Sequence, residues 1–449
     1  MDTGHEALRF GDVLQRSRKR VGLTQEQLAG LSTVSVRAIR DLELGRAHRP
    51  RGQTVKLLAD ALRLSGSPRV LLESAAGRPA EGTTLLRMYE GEAGAPPAPT
   101  GPLFGRVPEL AVIGEALDRE RMVALVGLAG VGKTRLALEA VRRRSTHGGT
   151  PTPTVWIPRS DAMPRTGPAA DHSRAMFISW VVDRLRGAEP VEELAALIGD
   201  RPMVLVIDAY ESSPVRPEML RSILDRCAGL QVLATTRGTR PFAGVRAVPV
   251  PPLPLAATDN ACGPVGGSCA SPAVELLLSH LRYTRPTLIH TEATLEAVAA
   301  LCRTLDGIPL ALDLAAAWFP VYLPEQMVAM VQEGPLDLLE LVLGTEPDAG
   351  PGFRTLVAEA VSHLKPAESE VLHALLARDS SCPASLLVRQ LGLPVAETTR
   401  ALHALLQRGL IRHETAADGA ASVEVLNLVR HVVASSPGSC GTASEYTRP

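Results

Sequence analysis

Four residues stand at the spacing of a phosphate-binding loop: Gly127, Gly132, Lys133 and Thr134, within VALVGLAGVGKTR. Glycines let backbone N–H groups curl round a phosphate with no Cβ in the way. The helix that follows points its positive end at the anion. Lys133 is predicted to reach the β- and γ-phosphates and the Thr134 hydroxyl to hold Mg²⁺. Gly130 and Arg135 of the same stretch complete the phosphate-binding set. The chain has four lysines among 47 basic residues, so a lysine at the one position that wants a compact ammonium supports the reading. Further on, MVLVIDAYES places Asp208 at the end of an apolar run, where it is expected to hold Mg²⁺ with Thr134. Glu211 stands one turn later, either as the residue that orients an attacking water or as a solvated loop carboxylate. LQVLATTR ends in Arg237, at a strand edge where an arginine senses a γ-phosphate.

A second chemistry lies near the start of the chain. Residues 1–75 hold 13 Lys+Arg against 8 Asp+Glu, although the whole chain is near neutral. Such an excess fits a nucleic-acid-binding end. Thr24 and Gln27 make a capping box for one short helix, and Ser35 opens a second that stops at Gly45. Two short helices three or four residues apart form a helix-turn-helix. Ala29, Ile39 and Leu42 fall where the two helices pack. Ser35, Val36, Arg37 and Arg40 then face outward from the half that enters a major groove. Gln25, Arg46, Arg49 and Arg51 are placed for phosphates. The alternative is a helical protein-interaction module with a solvated basic face.

The elements that must position these residues follow from pattern. A length of 449 residues allows about three ordinary domains. VALV, TVWI, MVLVI, LQVLATT and VRAVPV read as strands separated by helices, which implies a doubly wound, mainly parallel sheet with its ligand at the carboxyl edge. The helix after the loop ends in Arg142–Arg144, a favourable charge cluster at a helix C-terminus. Helices follow at 273–281, 292–305 and 310–318. The segment 353–433 breaks into short helices and one strand-like piece, SVEVLNLV. Residues 78–102 are a Pro/Gly/Ala linker, residues 249–272 an irregular loop, and the tail from Ser435 a disordered segment. The six cysteines form no C-x-x-C pair, which points to a reduced, cytoplasmic protein. The apolar run 308–323 is too short and interrupted to span a bilayer, so no membrane partner is expected.

TQEQLA followed by SVRAIRDLELGR resembles the xenobiotic-response-element class of helix-turn-helix domains over residues 7–73. The set LFGRVPEL, VALVGLAGVGKTRLALE, VLVIDAYES, VLATTR and GIPLALDLAAA looks like the NB-ARC domain of the STAND-class ATPases over residues 103–433. Joined to the helix-turn-helix, it resembles actinobacterial transcriptional regulators. The resemblance implies ATP or ADP as the ligand and makes Arg106 a border of the adenine. It makes Pro309 a base or ribose contact and Arg237 a sensor of the γ-phosphate. It also implies a helical lid and a closing winged helix. Val107 stands where relatives have an acid, and Ala209 follows Asp208 where many have a second acid. Val425, Leu426 and Asn427 replace the usual Met-His-Asp, and His431 is read as a surface histidine of a helix.

The expected architecture is multidomain α and α/β. It runs as a helix-turn-helix bundle (1–75), linker (76–102), P-loop doubly wound parallel sheet (103–250), helical lid (251–345), winged helix (346–434) and tail (435–449). The expected function is a transcriptional regulator that binds double-stranded operator DNA and is switched by adenine nucleotide. Lys133, Asp208 and Glu211 would run slow ATP hydrolysis, accompanied by nucleotide-dependent homo-oligomerisation and a separate sensor protein. The competing function is a STAND ATPase acting in signalling or defence through protein assembly, with the N-terminal bundle as adaptor.

Overall fold

The structure is a computed structural model that describes residues 10–47, 50–64, 72, 75–76, 86, 97, 101–147, 152–159, 169–238, 244–255, 271–288, 291–343, 352–378, 380–415 and 421–435. Most of the expected linker, the tail from 436, residues 256–270 of the irregular loop, and Arg49 lie outside the described residues. Packing divides the chain into two compact units. One comprises Met1–Pro97, Ser145–Asp208 and Ser212–Val232; the other comprises Ala98–Arg144, Ala209–Glu211 and Leu233–Pro449.

In the first unit, four helices build the N-terminal bundle: α1 Phe10–Arg20, α2 Gln25–Ser32, α3 Val36–Glu43 and α4 Gly52–Ala61. Their core holds Phe10, Leu14, Leu28, Ile39, Leu42 and Leu58. The capping box forms: Thr24 Oγ1 accepts from the Gln27 N–H, and the Gln27 side chain accepts from the Thr24 N–H. Thr33 turns the chain with φ +56°, and Ser35 caps α3 by accepting from the Ala38 N–H at 3.2 Å.

The parallel-sheet region supplies α5 Val107–Arg119, β1 Met122–Val126, α6 Lys133–His147, β2 Thr154–Ile157, α7 Ala169–Leu185 and α8 Val191–Ile198. It continues with β3 Met203–Ile207, α9 Pro217–Arg226, β4 Leu230–Thr236 and β5 Arg246–Pro249. The five strands form one sheet of order β2-β3-β4-β1-β5, with parallel pairing between β2 and β3 and between β1 and β5. Every residue of β1 and of β3 is buried, as a strand covered on both faces requires. All five expected strands are present. Helices α5, α7, α8 and α9 add to the sequence reading.

Next come α10 Pro272–Thr284, α11 Glu292–Thr304, α12 Pro309–Ala316, α13 Pro324–Glu333 and α14 Pro335–Leu343. Helix α10 packs on α12, and α11 on α13. Among the described residues no helix is long and apolar enough to cross a membrane, and the apolar run from 308 ends its helix at Ala316.

The last segment holds α15 Phe353–Ser362, α16 Pro366–Leu376, β6 Cys382–Pro383, α17 Ala384–Gln390, α18 Val395–Arg408, β7 Ile411–Thr415, β8 Ala421–Val425 and α19 Asn427–Ala434. Helices α16 to α18 and an antiparallel sheet of order β6-β8-β7 give a winged-helix arrangement. One expectation is corrected here. SVEVLNLV is not a single strand: β8 stops at Val425 and α19 begins at Asn427. The reason is periodicity, because Leu428, Val429 and Val432 are buried at helical spacing.

Candidate functional site

The phosphate loop follows the buried strand β1. Gly127, Gly130 and Gly132 have φ of +159°, +84° and +95°. A Cβ at Gly127 would lie 2.6 Å from the Val250 carbonyl oxygen, and one at Gly130 would lie 2.7 Å from Leu310 Cβ. Nothing lies within 4 Å of the corresponding point at Gly132, so the cradle is open there. Glycine is thus required at Gly130 by both conformation and space, and at Gly132 by conformation alone. Lys133 Nζ donates to the Gly127 and Leu128 carbonyls at 2.8 and 2.9 Å, which holds the ammonium over the loop. Thr134 is exposed in the first turn of α6.

Three other parts of the same unit close on this loop. Arg106, buried at 3% exposure, donates from Nη2 to the Val131 and Pro251 carbonyls and from Nη1 to Glu109. It braces the loop's far side against the chain that leaves β5. Pro309 opens α12, and the next residue, Leu310, donates its N–H to the Gly130 carbonyl at 3.1 Å. The segment Gly307-Ile308-Pro309-Leu310 therefore touches the loop directly. Gly409, which ends α18 with φ +71°, is the third: a Cβ there would lie 3.1 Å from the Leu128 nitrogen. Arg135 turns away from this group and donates to the Gly101 and Pro102 carbonyls.

Asp208 follows β3 in the first unit, 5% exposed, with its N–H bonded to the Ile157 carbonyl. In the second unit, Ala209 takes φ +51° and donates its N–H to Thr235 Oγ1, which fixes the turn that carries Glu211. Glu211 is an exposed residue whose carboxylate is ion-paired. Its Oε1 accepts from Arg237 Nε at 2.8 Å, and Arg237 Nη1 donates to Glu359 Oε2 of α15 at 2.7 Å. Burial disfavours the Arg237 cation, but its hydrogen bonds to Glu211 and Glu359 outweigh it and raise its pKa above the ordinary arginine value.

Sequence reasoning did not single out Asp306, which precedes the Gly307-Ile308-Pro309 segment. Its carboxylate is buried, its φ is +56°, and its Oδ2 accepts from the Leu428 N–H at the start of α19 at 2.8 Å. Arg412 of β7, itself paired with Glu424, lies 3.5 Å from Oδ1. Asn427 donates to the Arg303 carbonyl. Helix α19 lacks a side-chain cap of its own, so a residue from the preceding helical layer caps it. The signal present in the sequence was an acidic residue beside glycine. His431 is exposed on α19, as expected.

On helix α3, Arg37 and Arg40 are exposed and Val36 is half-buried. The Ser35 hydroxyl is engaged as the helix cap. Arg46 is mostly exposed and lies 3.8 Å from Asp41. Gln25 donates to Glu43 at 2.7 Å, and Glu43 also accepts two bonds from the buried Arg18. One N–H of Gln25 is thus already used inside the bundle.

Residues 9–72 match the family model of a helix-turn-helix domain. The N-terminal segment is a helix-turn-helix domain. An uncharacterized protein of Mycobacterium tuberculosis is 28% identical over 278 residues, 60% of this chain and 64% of the relative. A second protein of that organism, named for HTH-type transcriptional regulation, is 30% identical over 202 residues, 45% of this chain and 20% of the relative. The chain therefore spans under two thirds of the first relative's length and a fifth of the second's. Among solved structures, a Walker-type ATPase of Pyrococcus abyssi is similar at a TM-score of 0.42 and 16% identity, covering 74% of this chain and 96% of that one. A STAND protein with a tetratricopeptide-repeat sensor from Pyrococcus horikoshii is similar at a TM-score of 0.28 and 18% identity, covering 76% and 43%.

Among the described residues no group of three or more His, Cys, Asp or Glu is arranged to hold a metal. A Mg²⁺ ion held with a nucleotide needs fewer protein donors than that, because the phosphates supply the rest. Within the second unit, the open cradle at Gly132 and the exposed Thr134 are of the types that such an ion and its phosphates require.

Proposed function

We propose that this chain is a DNA-binding transcriptional regulator switched by adenine nucleotide. The helix-turn-helix binds double-stranded operator DNA, with Arg37 and Arg40 at base edges and Arg46 at a phosphate. The phosphate loop binds ATP or ADP through the N–H groups around Gly127, Gly130 and Gly132 and through Lys133. Thr134 and Asp208, paired by the sequence motif, would hold Mg²⁺, whose charge would offset that of the phosphates. Arg106 keeps the loop in shape beside the base, and Pro309 lies toward the base or ribose. Arg237 recognises the third phosphate, and Glu211 orients a water for slow hydrolysis that resets the switch.

The observation that carries this reading is the Gly130 carbonyl, which accepts from Leu310 of the helical layer while Gly409 of the winged helix abuts Leu128 two residues earlier. A loop whose backbone is shared with two other layers has a physical route for passing ligand binding to them. The named function of the partial relative is consistent with the proposal. Nucleotide-dependent oligomerisation would raise operator occupancy through effective concentration alone. The finer assignment to the XRE class, the NB-ARC domain and the STAND group, the cytoplasmic location, the domain boundaries and a separate sensor protein belong to the same proposal.

The test is selection of genomic DNA fragments by the purified protein, in parallel with ATP·Mg²⁺ and with ADP. A recurring site enriched in one nucleotide state supports both parts. A site enriched equally in both states removes the switch. Absence of any enriched site favours the protein-assembly reading, for which Leu31 and Leu44, 61% and 59% exposed on the bundle, would be the adaptor surface.

A further inference from the structure

Arg237 is bonded on two sides at once. Nε and the backbone N–H both meet Glu211, in the turn after β3, and Nη1 meets Glu359, which lies 122 residues further on in α15. The three side chains are 21%, 28% and 44% exposed, so the group is only partly screened by water. One cation is thus shared by two carboxylates. Glu211 alone would neutralise it; Glu359 is the surplus charge, and it comes from a different layer of the fold.

A guanidinium presents a fixed planar fork, and each of its N–H edges serves one anion at a time. Glu211 and Glu359 together hold Nε and Nη1, so a third phosphate recognised by Arg237 as proposed above competes with Glu359 for the cation. A diphosphate does not reach for that cation and leaves the pair intact. A triphosphate competes with the carboxylate for the cation, and a displaced carboxylate is left beside an incoming anion of the same sign. Like charges at that separation repel, and a partly desolvated carboxylate without its partner is costly.

We propose that Glu359 sets the nucleotide preference of the module: by holding the Arg237 cation for which a γ-phosphate would compete, it favours the diphosphate, and its displacement by ATP frees α15. This rests on the assignment of Arg237 to the γ-phosphate. Glu359 is here a specificity-determining residue and takes no part in hydrolysis. The same ion pair tells α15, 122 residues away in the chain, which nucleotide is bound.

The test compares the full-length protein with Glu359→Gln, measuring Kd for ATP·Mg²⁺ and for ADP by calorimetry. The variant is expected to bind ATP at least fivefold more tightly with ADP affinity changed less than twofold. Glu359→Asp, which keeps the charge, is expected to lie between the variant and the wild type. In an Arg237→Ala background, Glu359→Gln is expected to leave the ATP/ADP ratio unchanged, because the contested cation is gone. An unchanged ratio in the single variant, or an equal shift for both nucleotides, overturns the role of Glu359. If Arg237→Ala alone leaves ATP affinity intact, the γ-phosphate assignment itself falls, and with it this inference. Failure of the wild type to bind either nucleotide overturns the proposed function.

Discussion

At the scale of single residues, Asp306 shows how burial and position combine. Burial pushes its carboxyl up from 3.8 to about 6, against the opposing pull of the Leu428 and Asn427 backbone N–H groups and of Arg412, while Glu424 adds to the rise. A folded-state pKa raised above the unfolded value gives stability that is full below pH 3.8 and is lost as pH rises through about 6. Asparagine tolerates φ +56° and keeps an oxygen to accept from Leu428. Asp306→Asn should therefore be the more stable protein at pH 7.5, by up to about 3 kcal/mol, and should lose that advantage by pH 4. Urea midpoints of both proteins at the two pH values test this; parallel pH profiles would show that the carboxylate is not desolvated in this way. Gly130 makes a second residue-scale test. Alanine there must take φ +84° and meet Leu310 Cβ at 2.7 Å. Gly130→Ala should weaken nucleotide binding at least tenfold and lower thermal stability, measured by calorimetry and melting. The phosphate loop was legible in the sequence because it is local: its chemistry lies within eight consecutive residues. Asp306 and Glu359 were not, because each has meaning only through a partner more than a hundred positions away.

At the scale of elements, the helices of the bundle announce themselves through their caps. Thr24 and Gln27 were readable and make the expected bonds, whereas Ser35, read as a DNA contact, spends its hydroxyl on capping α3. Thr24→Ala should cost the bundle roughly 1 kcal/mol, the usual value for a lost N-cap, as a shift in its unfolding midpoint. No change would mean that packing against α3 and α4 alone defines the start of α2. Arg37→Ala should relax preference at one base pair by roughly 1–3 kcal/mol in a binding-site selection, whereas Arg46→Ala should lower affinity evenly across sequences. If the two variants behaved alike, α3 would not be the reading helix. The strands of the parallel sheet were also readable, since strands buried on both faces give unbroken apolar runs. The small antiparallel sheet was not. Residues 382–383 are too short to carry an alternating pattern, and in SVEVLNLV an alternating run passes into a helical one without a glycine or proline between them.

At the scale of the whole molecule, the reading predicts that two chemistries separate by substitution. Lys133→Ala should abolish binding of ATP and ADP while the helix-turn-helix still binds DNA, as measured by calorimetry and by gel shift on the same preparation. Normal ATP affinity in that variant would remove the phosphate loop from the site. The order of elements along the chain was largely legible, because each layer has its own sequence period. What brings the layers together was not, since the joints are made by backbone groups such as the Leu310 N–H on the Gly130 carbonyl, which any residue except proline would supply.

The glycine that ends α18 has a consequence of another kind. With Leu128 N standing 3.1 Å from where its first side-chain atom would be, Gly409 leaves less clearance than one methyl group. The position works as a feeler gauge between the winged helix and the phosphate loop. A substitution there changes no charge, removes no ligand and touches no base. It would act as a shim, holding the layers apart by a fraction of an ångström. A single carbon atom at this position would therefore press on the backbone of the phosphate loop from the winged helix without altering any charge.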